Sequence, residues 1–338
     1  MKRIIKILSL VMVVVLSSCS HKDLCVDHNA HSHKFHINVI ADYRMDWEEN
    51  YGGPDWKSNW PAGYMDYESL RPTKPTGIRV VNHSLEGVSD KHNIGADGGI
   101  VNLFEGYNDV LFYNNNTEYI LFSHVDKVAS TRATTRTRTR ATFVSSNNEE
   151  TMTPPDMLYA NFYEGLYVEK QEKPLDVEVT MQPLVFTYKV RYEFKEGLQW
   201  VALARGALSG MARSVLLHNG ATSEDGATIL YDCEVTEYGA RALVNSFGIP
   251  GHPNYNYPSR GDGDNKHILT LEVLLRNGSL VTREFDVTDQ VKAQPHGGVI
   301  VVDGIEVEEE EGTQGSGAFD VTVNGWGEYK DVVLDNFM

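Results

Sequence analysis

The sequence predicts an all-β protein built from antiparallel β-sandwiches. Three observations carry this. The stretch "LVFTYKVRYEF" alternates strictly for eleven residues, with Leu184, Phe186, Tyr188, Val190, Tyr192 and Phe194 on one face and Thr187, Lys189, Arg191 and Glu193 on the other. Near the C-terminus, Asn277-Gly278 and Asp303-Gly304 each sit between strand-like runs, the dipeptide chemistry of tight hairpins. No sustained helix–strand alternation exists, which argues against a doubly wound α/β fold.

Taken in chain order, "KFHINVIA" places Phe35, Ile37 and Val39 on one face, with His36 and Asn38 on the other. Short apolar runs follow at 78–81, 100–104 and 110–113, each bounded by Gly, Asn or Asp. "SSNNEETMTPPD" (145–156) is a polar loop. "GLQWVALARGALSGMARSV" has some helical propensity, but Gly206 and Gly210 interrupt it at about 1 kcal/mol each relative to Ala, so strand with one short turn is expected. The strand from Leu184 has one apolar and one polar side, so its sheet is expected to be solvated on the polar side. "AFDVTVNGW" reads as the last strand. Many short strands with turn signals favour sandwiches, and about 300 residues suit two of them. The boundaries expected are 34–172 and 173–338, with the junction near "EKQEKPLD".

The N-terminus is basic at Lys2, Arg3 and Lys6, then apolar from Ile7 to Leu16, then small. That is the layout of a secretory signal, and it is too short for a membrane-spanning helix of roughly 20 residues. The exit Leu16-Ser17-Ser18-Cys19 resembles a bacterial lipobox. Residues 1–18 are therefore expected to be removed, Cys19 to carry the lipid, and 19–33 to form a tether. Ser20 after the cysteine resembles the signal for outer-membrane delivery. Buried acyl chains hold firmly at about 0.8 kcal/mol per CH₂. Cys25 and Cys233 remain, in an exported chain where disulfides persist; the sequence leaves open whether they pair. Over 338 residues, 30 basic and 47 acidic side chains give a formal net charge of −17, which repels nucleic acid.

His28, His31, His33 and His36 include two imidazoles on one side of an extended chain, enough to begin a metal site. No carboxylate or cysteine joins them at ligand spacing, so a solvated linker and no metal are expected. The Thr-Arg run 130–142, with Arg132, Arg136, Arg138 and Arg140, lacks the aromatics of a base-stacking surface and reads as an exposed edge strand or loop. "GALSG" (206–210) superficially resembles a nucleophile elbow, but its serine is misplaced. "RGDGDN" (260–265) has Lys266 where a calcium loop needs an oxygen ligand, so it reads as a turn. "EVEEEEG" (306–312) reads as a solvated charge run. Trp47, Trp56 and Trp60 cluster in a Gly/Pro-rich loop suited to display, although buried packing explains most aromatics. No catalytic or phosphate-binding arrangement stands out, so neither enzyme activity nor a cofactor is expected.

Four segments together carry a family resemblance: "CSHKDLCVDHNAH", "EGYNDVLFYNNNTEYILF" (105–122), "GALSGMARSV" (206–215) and "GAFDVTVNGWGEY" (317–329). They resemble the fimbrillin-like lipoproteins of Bacteroidales, in particular a subfamily without assigned function that is similar to the minor, lipid-anchored subunits at the base of fimbriae. The resemblance implies two tandem transthyretin-like sandwiches on an outer-membrane lipid anchor, facing the cell surface. It also implies a role in fimbria anchoring, assembly or adhesion, with fimbrial subunits or a host or extracellular ligand as partners. Only Cys19 carries over as a functional residue. The alternative function is a glycan- or nutrient-binding surface lipoprotein.

Overall fold

The computed structural model describes residues 34–44, 72, 74–84, 89–139, 143, 145, 147–171, 173–251, 265–313, 326 and 330–332. Cys19, Cys25, His28, His31, His33, Arg140, the three clustered tryptophans, the RGD tripeptide and "AFDVTVN" lie outside these residues. The described chain is all-β, as expected. Its first half contributes β1 (Lys34–Tyr43), β2 (Gly77–Ser84), β3 (Ser89–Gly95), β4 (Gly98–Phe104), β5 (Gly106–Tyr113), β6 (Ile120–Ser123), β7 (Arg132–Thr135), β8 (Thr137–Thr139), β9 (Glu150–Met152), β10 (Tyr159–Val168) and β11 (Leu175–Pro183).

Seven of these close into a barrel in the order β1-β11-β10-β5-β2-β3-β4. The sheet therefore closes on itself, where two facing antiparallel sheets were expected. Closure follows from β1, which is paired on both sides: antiparallel to β4 and parallel to β11. Gly98 permits the approach. Its φ is 115°, and a Cβ there would lie 1.9 Å from the Val39 carbonyl oxygen. Inside the barrel, Phe35, Ile37 and Val39 meet Val80, Val110, Phe112, Val177, Val179 and Met181. The alternation read from "KFHINVIA" is thus the inner face of β1.

The second half contributes β12 (Phe186–Glu196), β13 (Val201–Ala212), β14 (Ser214–Leu216), β15 (Gly226–Thr236), β16 (Gly239–Ser246), β17 (Ile268–Leu275), β18 (Leu280–Asp286), β19 (Gly298–Glu306) and β20 (Lys330–Val332). Two short helices join them, α1 (Thr288–Ala293) and α2 (Glu309–Thr313). The main sheet runs β18-β17-β13-β15-β16-β12-β19, and β9, β8 and β20 extend it from β15. Tyr188, Val190 and Tyr192 project into its core beside Ile300, Val244 and Leu271. Phe186 is buried apart from that cluster, against the ring of His296 at 4.8 Å.

Three expectations about this half need correction. The polar face of β12 is not solvated: Lys189 and Arg191 are 3 % and 4 % exposed. The aromatic ring of Tyr238 covers Arg191 at 4.1 Å. Asp303-Gly304 does not turn a hairpin. β19 runs on in parallel along β12, and the register steps from Tyr192↔Val302 to Phe194↔Ile305, so the dipeptide is a bulge holding one extra residue. Asn277-Gly278 does lie in a hairpin, but only Gly278 has a positive φ, 86°. Leu275 N–H donates to the Ser279 carbonyl, which makes the loop one of three residues.

The first half lends chain to the second. Residues 120–152 leave the barrel, where β7 lies between β6 and β14 and β9 joins β15 in parallel. Hence the Thr-Arg run is not a free edge. Ala133, Thr134 and Thr135 are buried, and Thr137–Thr139 pairs with Lys330–Val332. A strand with no apolar face is buried here through small Thr and Ala side chains, Thr135 Oγ1 donating to the Thr153 carbonyl at 2.8 Å. β11 belongs to the barrel, and Leu184-Val185 connects it to β12 in the second sheet. A third core cluster joins the halves, with Leu111, Tyr113 and Leu158 from one and Val215, Leu217 and Phe247 from the other.

Candidate functional site

The densest chemistry among the described residues is a ladder of charges across the outer face of the second sheet. On β17, β13 and β15, Glu272, Arg205 and Asp232 stand opposite one another. On β15, β16 and β12, Glu234, Arg241 and Arg191 do the same. Opposite charges facing each other across strands stabilise a sheet by roughly 0.2–1 kcal/mol per pair. Arg205 donates to Glu272 at 2.9 Å with both nearly buried, and Arg241 donates to Glu234 at 2.7 Å in a more exposed position. Arg191 forms an ion pair with Glu193 at 2.7 Å.

Aromatic rings cap this ladder. The guanidinium of Arg205 lies 3.9 Å from the ring centre of Trp326, whose indole N–H donates to the Ala204 carbonyl at 3.4 Å. Trp326 and β20 thus lay C-terminal chain over the outer face, with β20 continuing the sheet through β8.

Beside the ladder is a cavity of about 300 Å³ lined by Lys189, Asp232, Glu234, Arg241, Ala242 and Leu243. Burial, with added repulsion from Arg241 and Arg191, lowers the Lys189 pKa from 10.5 to about 8. The hydrogen bond from Arg241 holds Glu234 below the usual carboxylate range. Four cations (Lys189, Arg191, Arg205, Arg241) balance four carboxylates (Glu193, Asp232, Glu234, Glu272), so the ladder is internally neutralised. The unfolded chain binds more protons at Lys189 between pH 8 and 10.5, so this site adds stability as pH rises through that window. Urea unfolding at pH 7 and pH 10 is expected to show this step in the parent protein and to lose it in Lys189→Met.

A second cavity of about 280 Å³ lies where the halves meet, lined by Lys74, Asn114, Asn116, Asp156, Tyr159 and Asn245 among others. Its polar groups hold the junction. Asn114 donates to the Met157 carbonyl, Asn245 donates to the Pro155 carbonyl, and Asp156 accepts from the N–H groups of Glu118 and Tyr119.

The sheet edges differ in availability. The outer edge of β19 is occupied by Gln290 of α1 and by Gln294, which caps the end of that helix. Gln290 donates to the Val301 carbonyl and accepts from its N–H, and Gln294 does the same with Val299. Two side-chain amides thus stand in for a neighbouring strand, a device that blocks edge pairing. Arg283 of β18 reaches both carboxylate oxygens of Glu311 on α2 at 2.9 Å.

His36 is exposed on the barrel exterior, and among the described residues no three His, Cys, Asp or Glu gather as a metal site. Cys233 is half-buried on β15, packed against the core of the second sheet. In "GALSG", Gly206 packs on the ring of Tyr231, where a Cβ would meet Cε2 at 2.3 Å. Ser209 Oγ donates to the Ile268 carbonyl, so this segment is sheet structure. "EVEEEEG" ends β19 and forms α2, with Glu311 engaged by Arg283 and Val307 buried. Sequence reading missed the ladder. Its signal was one charged residue inside an otherwise apolar strand, Arg205 in "ALARGAL" and Glu272 in "LTLEVLL". Such residues are almost never buried unless paired.

The fold is all-β and in two parts, and its most conspicuous polar cluster among the described residues is paired within the sheet. A family model described as a domain of unknown function, DUF5119, matches residues 64–232, half of the chain; the chain belongs to that family. A Bacteroides ovatus protein provisionally named fimbrium anchoring subunit Fim4B is 22% identical over 295 residues, covering 80% of this chain and 88% of that protein. A crystal structure from Bacteroides ovatus, provisionally described as an adhesin, matches with a TM-score of 0.55 at 19% identity, over 81% of this chain and 94% of the other. Among the described residues no helix is long and apolar enough to cross a membrane.

Proposed function

We propose that this protein is a non-catalytic fimbrial subunit of the anchoring, assembly or adhesion type, held at the outer membrane and facing the cell surface through a lipid on Cys19. The observation that carries the reading is the match to the fimbrium anchoring subunit, which runs through both halves of the chain and not through one module. The lipobox-like exit at Leu16–Cys19 supplies the anchor. We also read the two halves as widened relatives of the transthyretin-like sandwich, one spanning 34–183 and the other 184–338, with 120–152 lent from the first to the second. Partner subunits would associate by strand addition, main-chain hydrogen bonds giving affinity and side-chain pockets giving specificity. With β19 capped by Gln290 and Gln294, the extension β9-β8-β20 is the favoured place for such pairing. Affinity purification of the tagged protein from fimbriated cells is expected to recover fimbrial subunits. Cys19→Ala should shift the protein from the membrane fraction to a soluble or unprocessed form. Recovery of no fimbrial component, together with an unmodified residue 19 by intact mass, would refute the reading.

A further inference from the structure

The barrel has two unlike poles. At one, β1 ends at Tyr43, β5 at Tyr113 and β11 at Pro183, and β10 starts at Tyr159. The second half covers this pole through the core shared by Tyr113, Leu158 and Leu184 with Val215 and Phe247. At the other, β1 begins at Lys34 opposite Phe104, and β10 ends at Val168 opposite Gly106. Here the chain enters from the N-terminal side.

Large apolar groups stand in water around this second pole. Tyr107 and Tyr167, opposite each other on β5 and β10, are 56 % and 54 % exposed, with ring centres 5.0 Å apart. Leu175, the first residue of β11, is also exposed and lies opposite Ile37, three residues into β1.

We propose that this pole is the membrane-facing surface of the protein, with the Tyr107–Tyr167 pair resting at the lipid–water interface. The proposal rests on the reading that Cys19 carries the lipid. Fourteen residues separate Cys19 from Lys34, a reach of at most about 50 Å even when fully extended. The pole from which β1 starts is therefore the part of the fold with the shortest path to the bilayer, and the opposite pole is already covered. Tyrosine suits this position because its ring is apolar and its hydroxyl stays wet, the property that concentrates it at membrane interfaces. Exposed apolar groups gathered at one place on a soluble fold mark a contact surface. The tyrosine rings and Leu175 carry no charge, so their contact with lipid is expected to persist at high salt.

The test is hydroxyl-radical footprinting of two forms. One is the chain lipidated at Cys19, reconstituted into phosphatidylethanolamine–phosphatidylglycerol vesicles. The other is the same chain made from Ser20 without lipid. Tyr107 and Tyr167 are expected to oxidise several-fold more slowly in the vesicle-bound form at both low and high salt. Leu243 and Leu280, exposed on the second sheet, should keep their rates. Vesicle flotation with unchanged tyrosine rates overturns the surface while leaving the anchor intact. A wild-type chain that neither floats nor carries lipid by intact mass overturns the anchor and the surface together. Protection of both rings in the unlipidated chain by added soluble glycans, with none on vesicles, would assign the pair to sugar stacking instead.

Discussion

Val190→Asp is expected to prevent the second half of the protein from folding. Val190 is fully buried on β12, between β16 and β19, and its side chain points into the cluster formed with Tyr188, Tyr192, Val244 and Ile300. Among the described residues that cluster holds no cation, and Lys189, Arg191 and Arg241 face the other way. A carboxylate placed there must stay uncharged or remain unpaired in an apolar core. Substitutions of this kind fall in the rare class that costs more than about 4–5 kcal/mol, a large part of the roughly 5–15 kcal/mol that holds a domain together. Circular dichroism should show loss of β signal, and limited proteolysis should cut throughout 184–313. Because the third core cluster joins the two halves through Tyr113, Leu158 and Phe247, the barrel should also lose stability. Glu237→Lys, on the exposed turn between β15 and β16, is the matched control and should behave like the parent protein. A folded Val190→Asp protein would contradict the strand assignment itself.

What the sequence disclosed and what it hid divide along the same strand. The inner face of β12 was legible, because a period of two in apolar residues depends on the strand alone. The outer face was not. Thr187, Lys189 and Arg191 look like solvent-facing residues, and only the placement of the distant Tyr238, Arg241 and Asn245 shows how they are covered. The strands of β1, β2, β4 and β5 were likewise local and readable. Their closure was not, since β1 pairs in parallel with β11 from more than a hundred residues away, and no local pattern records that partner. Asp303-Gly304 and the Thr-Arg run failed for a related reason. A turn dipeptide serves a bulge as well as a hairpin, and a Thr-Arg run can be buried through its small residues, as Ala133, Thr134 and Thr135 are. The candidate site depended most on tertiary pairing. Arg205 and Glu272 are 67 residues apart and become a pair only once β13 lies beside β17.

That pair is expected to give the second large effect. In Arg205→Met, Glu272 keeps its buried position, 4 % exposed, and loses the guanidinium that neutralises it. Removing one partner of a buried ion pair costs about 3–5 kcal/mol, mostly from the charge left behind. The variant should therefore unfold at a markedly lower urea concentration, with a parallel loss when the carboxylate alone is removed in Glu272→Leu. The double variant Arg205→Met/Glu272→Leu should recover much of that loss, because replacing both members with apolar groups of similar size leaves nothing unpaired. The recovery should be incomplete. The guanidinium also lies 3.9 Å from the Trp326 ring, a cation–π contact of about 0.5–2 kcal/mol that methionine does not reproduce in full. Trp326→Ala isolates that part and should also loosen β20, so hydrogen exchange at 330–332 and at 137–139 should quicken together while β12 and β13 stay protected. A double variant no more stable than Arg205→Met would show that the ladder acts through its other members. Unchanged exchange at 137–139 after Trp326→Ala would show that β20 is held on β8 by its own backbone pairing.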